Sequence, residues 1–143
     1  MSAELYIIIG LSLFLILHIL TGLHEWRQAA LEKIGLIAYR ILFSLGTLYS
    51  FWTILKGFDA RPFDVWWHVP LWATYAPFVI MPICILLFTC HFMSREEDTF
   101  TRQPVGWAIM LWSLSHLLAN GESGTTLFFS GFVFYGLLAI YLR

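Results

Sequence analysis

Five stretches of almost unbroken apolar residues, at about 5–23, 34–58, 69–93, 104–120 and 125–142, are set apart by short polar breaks. Each falls within the length of a membrane-spanning helix, about 17–25 residues. The pattern predicts an all-α fold, a polytopic membrane bundle of about five transmembrane helices. The breaks have their own chemistry. Residues 24–33 are mixed-charge, 59–62 form a turn cluster of Asp59, Ala60, Arg61 and Pro62, and 94–103 carries Arg95, Glu96, Glu97, Asp98 and Arg102. Asn120 and Gly121 are suited to closing the fourth helix in the left-handed conformation, and the short connection after them makes the fourth and fifth helices antiparallel neighbours. Pro104 falls in a first helical turn, where proline costs nothing. Pro77 and Pro82 lie within the third stretch, where they are expected to free carbonyls, bend the helix and open a cavity.

Composition agrees with the pattern. With 59% hydrophobic and 12% charged residues and a mean hydropathy of +0.77, the chain is outside the range of a soluble globular domain. Its 143 residues are filled by five spans, so a single membrane domain over 1–143 is expected. A net charge of −1 with scattered basic residues removes the nucleic-acid binders from consideration. The N-terminus runs into the first apolar stretch without a basic region or a small-residue cleavage site, so that stretch is expected to remain as a helix. Cys84 and Cys90 lie six residues apart on one helix and cannot bridge each other.

Lysine and arginine collect on the cytoplasmic side of a membrane. Placing the N-terminus outside puts Arg27, Lys33, Arg40, Arg95, Arg102 and Arg143 on or near the inner side and leaves only Lys56 and Arg61 outside. The expected orientation is therefore N-terminus out and C-terminus in. Trp66, Trp67 and Trp72 then form an outer aromatic belt, with Trp26 at the inner interface.

The candidate chemistry lies in the histidines, because every acidic residue falls in a loop, a terminus or an interfacial turn. His18 and His116 sit inside apolar spans, where an imidazole must find a partner within the bundle. Two readings are open for them: a hydrogen bond between helices, or a pair of neutral imidazoles ligating haem iron from opposite faces. Ser113 and Asn120 share a helix face with His116, and Thr21 lies one turn from His18, so each is placed to fix a ring tautomer. From span midpoints the two histidines differ in depth by roughly 9 Å. His24 and His91 match better in depth but belong to the interfacial zone. Arg27 and Arg40, near the inner ends of the first two spans, are candidates for haem propionates or for anionic lipid headgroups. No phosphate-binding loop, nucleophile elbow, HExxH or paired carboxylate is present, which leaves hydrolase and nucleotide-dependent readings without support.

Several blocks resemble the NnrU family of membrane proteins, which accompany nitrite and nitric oxide reduction and are similar to 15-cis-zeta-carotene isomerase. They are Phe14-Leu15-Ile16-Leu17-His18 with Arg27 following, the run from Gly35 to Ser44 that includes Tyr39-Arg40, the Trp-rich start of the third span, and above all Leu111-Trp112-Ser113-Leu114-Ser115-His116-Leu117-Leu118-Ala119-Asn120-Gly121. The resemblance implies a five- or six-helix bundle. Its isomerase branch implies haem b held by histidines matching His18 and His116. One departure is visible: before the fourth span the family usually reads Arg-His-Pro, and this chain reads Arg102-Gln103-Pro104.

The leading expectation is a haem-b-binding protein of the bacterial inner membrane, a redox or accessory factor of nitrogen-oxide respiration. His18 and His116 would be the axial ligands, Ser113 and Asn120 would support them, and Arg27 and Arg40 would lie near the propionates. A haem-dependent polyene cis–trans isomerase is the enzymatic alternative, and the missing histidine at Gln103 weighs against it. A cofactor-free subunit or assembly factor, docking on other membrane subunits through small residues such as Gly46, Gly131 and Gly136, is the third.

Overall fold

The computed structural model of the protein describes residues 2–60, 62–93 and 103–141. They form two compact units, Met1–Phe63 and Asp64–Arg143. Arg61, the charged run 94–102 and Arg143 lie outside the described residues, and with them four of the positions on which the orientation was read.

The first unit is a helical hairpin. Helix α1 (Ala3–Gly22) starts at Ser2, whose hydroxyl accepts a hydrogen bond from the Leu5 amide at 3.3 Å and so occupies one of the free N–H groups of the first turn. Leu23 is extended and turns the chain directly into α2 (His24–Asp59). The mixed-charge segment expected to be a break is thus helical. Glu25, Gln28, Ala29, Ala30, Leu31, Glu32 and Lys33 are good helix formers, and charge by itself does not end a helix. The interruption falls instead at Gly35, whose φ of 78° and ψ of 163° only glycine adopts without strain. A charged first segment, 24–34, therefore precedes an apolar one, 36–59.

The two long helices run antiparallel. Gly57 meets Ala3 and Ile7, Gly10 meets Ser50 and Ile54, Phe14 meets Phe51, Leu17 meets Gly46, and His18 meets Phe43. A Cβ on Gly10 would lie 2.7 Å from the Ser50 carbonyl oxygen, and one on Gly57 would lie 2.7 Å from that of Ala3. Glycine is what lets these backbones approach, the usual solution where lipid removes the hydrophobic drive for helix association.

The second unit opens with residues 62–70, which lie against the connection between α4 and α5. The Trp66 amide donates to the Gly121 carbonyl at 2.8 Å, the Ser123 amide donates to Asp64 at 2.8 Å, and Val65 pairs with Glu122 in a single antiparallel bridge. A 3-10 turn (Leu71–Tyr75) leads into α3 (Ala76–Met93). Helices α4 (Pro104–Ala119) and α5 (Ser123–Tyr141) follow. Two expectations need correction. Pro77 is the second residue of α3, in a turn whose amides need no intrahelical acceptor, so only Pro82 interrupts the helix. Asn120 closes α4 in an extended conformation (φ −134°, ψ 132°), not a left-handed one. Gly121 is needed for space: a Cβ there would fall 2.0 Å from the Trp67 carbonyl oxygen.

Antiparallel packing of α4 and α5 follows the short connection, with Gly106 against Ile140, Met110 against Gly136, Trp112 against Phe132 and His116 against Phe129.

Which residues face inward identifies the solvent. Ser50, Ser113 and Ser123 are fully enclosed, whereas Ile37, Phe78 and Val79 are more than two-thirds exposed. Small and hydroxyl side chains share the helix contacts with Ile7 and Ile54, and many other large apolar side chains point out, the arrangement expected when the surroundings are lipid. The hydroxyls of Ser50 and Ser113 are satisfied within their own helices: Ser50 donates to the Thr47 carbonyl at 2.7 Å, and Ser113 donates to that of Ile109. Among the described residues, four segments are long and apolar enough to cross a bilayer: α1, α2, the run Leu71–His91 and α5. Helix α4, with 16 residues, is apolar but short. Cys84 is buried, Cys90 is exposed, and both are free thiols.

Candidate functional site

His18 lies near the C-terminal end of α1. Its ring Nδ1 is 2.8 Å from the Phe14 carbonyl oxygen, one turn back. A carbonyl only accepts, so Nδ1 carries the proton and the lone pair is at Nε2. The ring stacks on Phe14 at 3.9 Å between centroids and meets the edge of Phe43 at 5.1 Å. His116, near the C-terminal end of α4, repeats this arrangement. Its Nδ1 is 2.9 Å from the Trp112 carbonyl oxygen, and its ring stacks on Phe129 at 5.0 Å with Trp112 at 5.5 Å. The Trp112 carbonyl also accepts the Ser115 hydroxyl at 2.7 Å, so its second lone pair is engaged.

The side chains expected to fix these tautomers act elsewhere. Thr21 donates to the His18 backbone carbonyl at 2.8 Å, and the Asn120 amide donates to the His116 backbone carbonyl at 2.7 Å. Ser113 bonds the carbonyls of Ile109 and Met110. They cap or tie the helix near each histidine, and the ring itself is held by the carbonyl four residues earlier. No sequence signal marks this choice, since every helical residue has such a carbonyl and the side-chain rotamer selects it.

His24, His68 and His91 are exposed. Arg27 and Arg40 are exposed as well but differ in setting: Arg27 lines a cavity of about 230 Å³ between the end of α1 and both segments of α2, and Arg40 does not. Phe43, which touches His18, is part of the same wall. The second unit holds an apolar cavity of about 300 Å³ lined by Met81, Cys84, Ile85 and Phe88 of α3 and by Ala108 and Trp112 of α4. It lies within two turns of Pro82, and Trp112 connects it to His116.

A family model described as NnrU protein matches residues 6–143. The chain belongs to the NnrU family. No curated protein and no solved structure matches it. The match takes in both intramembrane histidines, Arg27, Arg40, Ser113 and Asn120.

Each intramembrane histidine of this NnrU protein offers a ligand one imidazole nitrogen, Nε2. Among the described residues, no three His, Cys, Asp or Glu side chains gather closely enough to hold a metal. A porphyrin supplies four of the iron's ligands itself and asks the protein for one or two, typically a neutral imidazole with its remote N–H engaged. His18 and His116 each meet that description.

Proposed function

We propose that this NnrU protein binds haem b in the bacterial inner membrane and serves as a redox or accessory factor in nitrite and nitric oxide respiration. His18 and His116 are the residues that would hold it. The observation that carries the reading is the repeated imidazole arrangement: in each unit an intramembrane histidine gives its Nδ1 proton to the carbonyl one turn back and rests flat against a phenylalanine. This fixes the tautomer that ligates through Nε2 and restrains the ring before any ligand arrives. The bound group would supply one-electron chemistry. The chain's part is to hold the imidazoles neutral and oriented in an apolar setting.

Orientation follows the charges of the first unit. Arg27, Lys33 and Arg40 gather where α1 ends, and Lys56 lies at the opposite end, beside the helix position that packs on Ala3. This supports the N-terminus outside; a crossing by the shorter α4 as well would place the C-terminus in the cytoplasm.

Protein purified from haem-replete cells should show a Soret band. His18→Ala and His116→Ala should each convert a six-coordinate spectrum to a five-coordinate one, and the double variant should lose the band. A colourless wild-type protein, or a double variant with an unchanged band, would remove the proposal.

The cavity between α3 and α4 favours a second reading, haem-dependent cis–trans isomerisation of a polyene. Its lining is almost wholly apolar, and Trp112 links it to His116. Gln103, where the family resemblance implies a histidine, stands against it. Incubating reduced, haem-loaded protein with a cis polyene tests this. An isomer distribution that does not change with time excludes it.

A further inference from the structure

The cavity beneath the first segment of α2 is unlike the rest of the molecule. Leu17 of α1 and Leu42 and Phe43 of α2 make one side of it apolar, while Arg27, Trp26 and Tyr39 border the other. The Tyr39 hydroxyl is buried and has no hydrogen-bond partner. A buried polar group left unpaired in this way costs about 1–3 kcal/mol, so such groups mark places where a partner is to be supplied. The Arg27 side chain makes no ion pair among the described residues, and no acidic residue lines the cavity. Trp26 is mostly exposed, as is usual for an indole at the headgroup level of a membrane.

Arg27 and an interfacial tryptophan therefore border a slot whose accessible lining is almost wholly hydrocarbon, with the unpaired Tyr39 hydroxyl just beneath its surface. The occupant that satisfies all of them is an amphiphile with an anionic head and an apolar tail. We infer that this cavity is a binding site for one anionic phospholipid. The phosphate is held by Arg27 with Tyr39 as a neutral donor, and an acyl chain lies along Leu17, Leu42 and Phe43. A guanidinium pairs with phosphate oxygens through two parallel N–H donors, and the hydroxyl gains the acceptor it lacks. The inference does not depend on haem. It assigns Arg27 to a lipid phosphate in place of a propionate, in keeping with a cavity of about 230 Å³ that admits a headgroup and part of a chain.

Native mass spectrometry of the full-length protein in mild detergent, titrated with phosphatidylglycerol or with phosphatidylcholine of the same chain length, reads this directly. The expected result is one molecule of phosphatidylglycerol bound about tenfold more tightly than phosphatidylcholine, a preference that Arg27→Gln abolishes and Tyr39→Phe weakens about threefold. Lys33→Gln, which removes the same charge from the same helix segment outside the cavity lining, should leave the preference intact. Equal losses in Arg27→Gln and Lys33→Gln would mean general surface attraction and overturn the site. Displacement of the lipid by millimolar inorganic phosphate would assign the cavity to a soluble anion and also overturn it. So would loss of haem in Arg27→Gln with lipid binding unchanged.

Discussion

The α1–α2 hairpin and the three-helix unit of α3, α4 and α5 meet the same requirement, holding apolar helices together in an apolar solvent, in different ways. The hairpin uses two long helices in close backbone contact through Gly10 and Gly57, and carries a charged, tryptophan-bearing segment between Leu23 and Gly35. The three-helix unit has a close approach at Gly136 but also ties an extended segment to the α4–α5 connection through main-chain hydrogen bonds, and its cavity opens between α3 and α4. Both nevertheless present a histidine held in the same way. The scaffolds differ while the carbonyl that holds each ring stays the same, four residues earlier; the stacking phenylalanine comes from the same helix for His18 and from the neighbouring one for His116.

Three substitutions test how far the contrast goes. The larger effect is expected from Gly121→Ala. Its Cβ would fall 2.0 Å from the Trp67 carbonyl oxygen, a backbone atom that cannot rotate aside, so the hydrogen bond from Trp66 must be given up. Loss of about 3 kcal/mol or more is expected, seen as a lower unfolding temperature in detergent with the hairpin least affected. A neutral Gly121→Ala would mean that the extended segment does not hold the second unit together.

Smaller losses, about 1–3 kcal/mol each, are expected from Gly10→Ala in the hairpin and Gly136→Ala in the other unit, where a Cβ would meet Ser50 or Met110 backbone atoms at 2.7 and 2.8 Å. Each substitution touches only residues of its own unit, so the double variant should show the sum of the two losses to within about 0.5 kcal/mol. Marked non-additivity in unfolding by a denaturing detergent would show that the units are coupled and blur the contrast. The spectroscopic variants at His18 and His116 ask the complementary question, whether two settings built alike also act together.

Much of this was legible in the residues. Span positions follow from runs of apolar side chains, because a helix that must satisfy its own backbone in lipid announces itself by length and hydropathy. His18 and His116 stood out for the same reason, as polar side chains in spans that otherwise exclude them. The charges of 24–33 suggest an interruption that the structure does not make, because good helix formers continue a helix along an interface and only a residue permitting positive φ, Gly35, breaks it. Asn120 and Gly121 were read for conformational freedom, but the glycine is required by a carbonyl contributed from a segment more than fifty residues earlier in the chain.

The sequence by itself determined the helices, their apolar surroundings, the family and the two intramembrane histidines, because each rests on local composition or on a contiguous motif. Tertiary structure alone decided which carbonyl holds each imidazole, where Thr21 and Asn120 spend their hydrogen bonds, which glycines mark close approaches, and that Arg27 and Tyr39 border one cavity while Arg40 does not line it. These depend on rotamers and on contacts between residues far apart in the chain, which a linear pattern of apolar and polar positions does not encode.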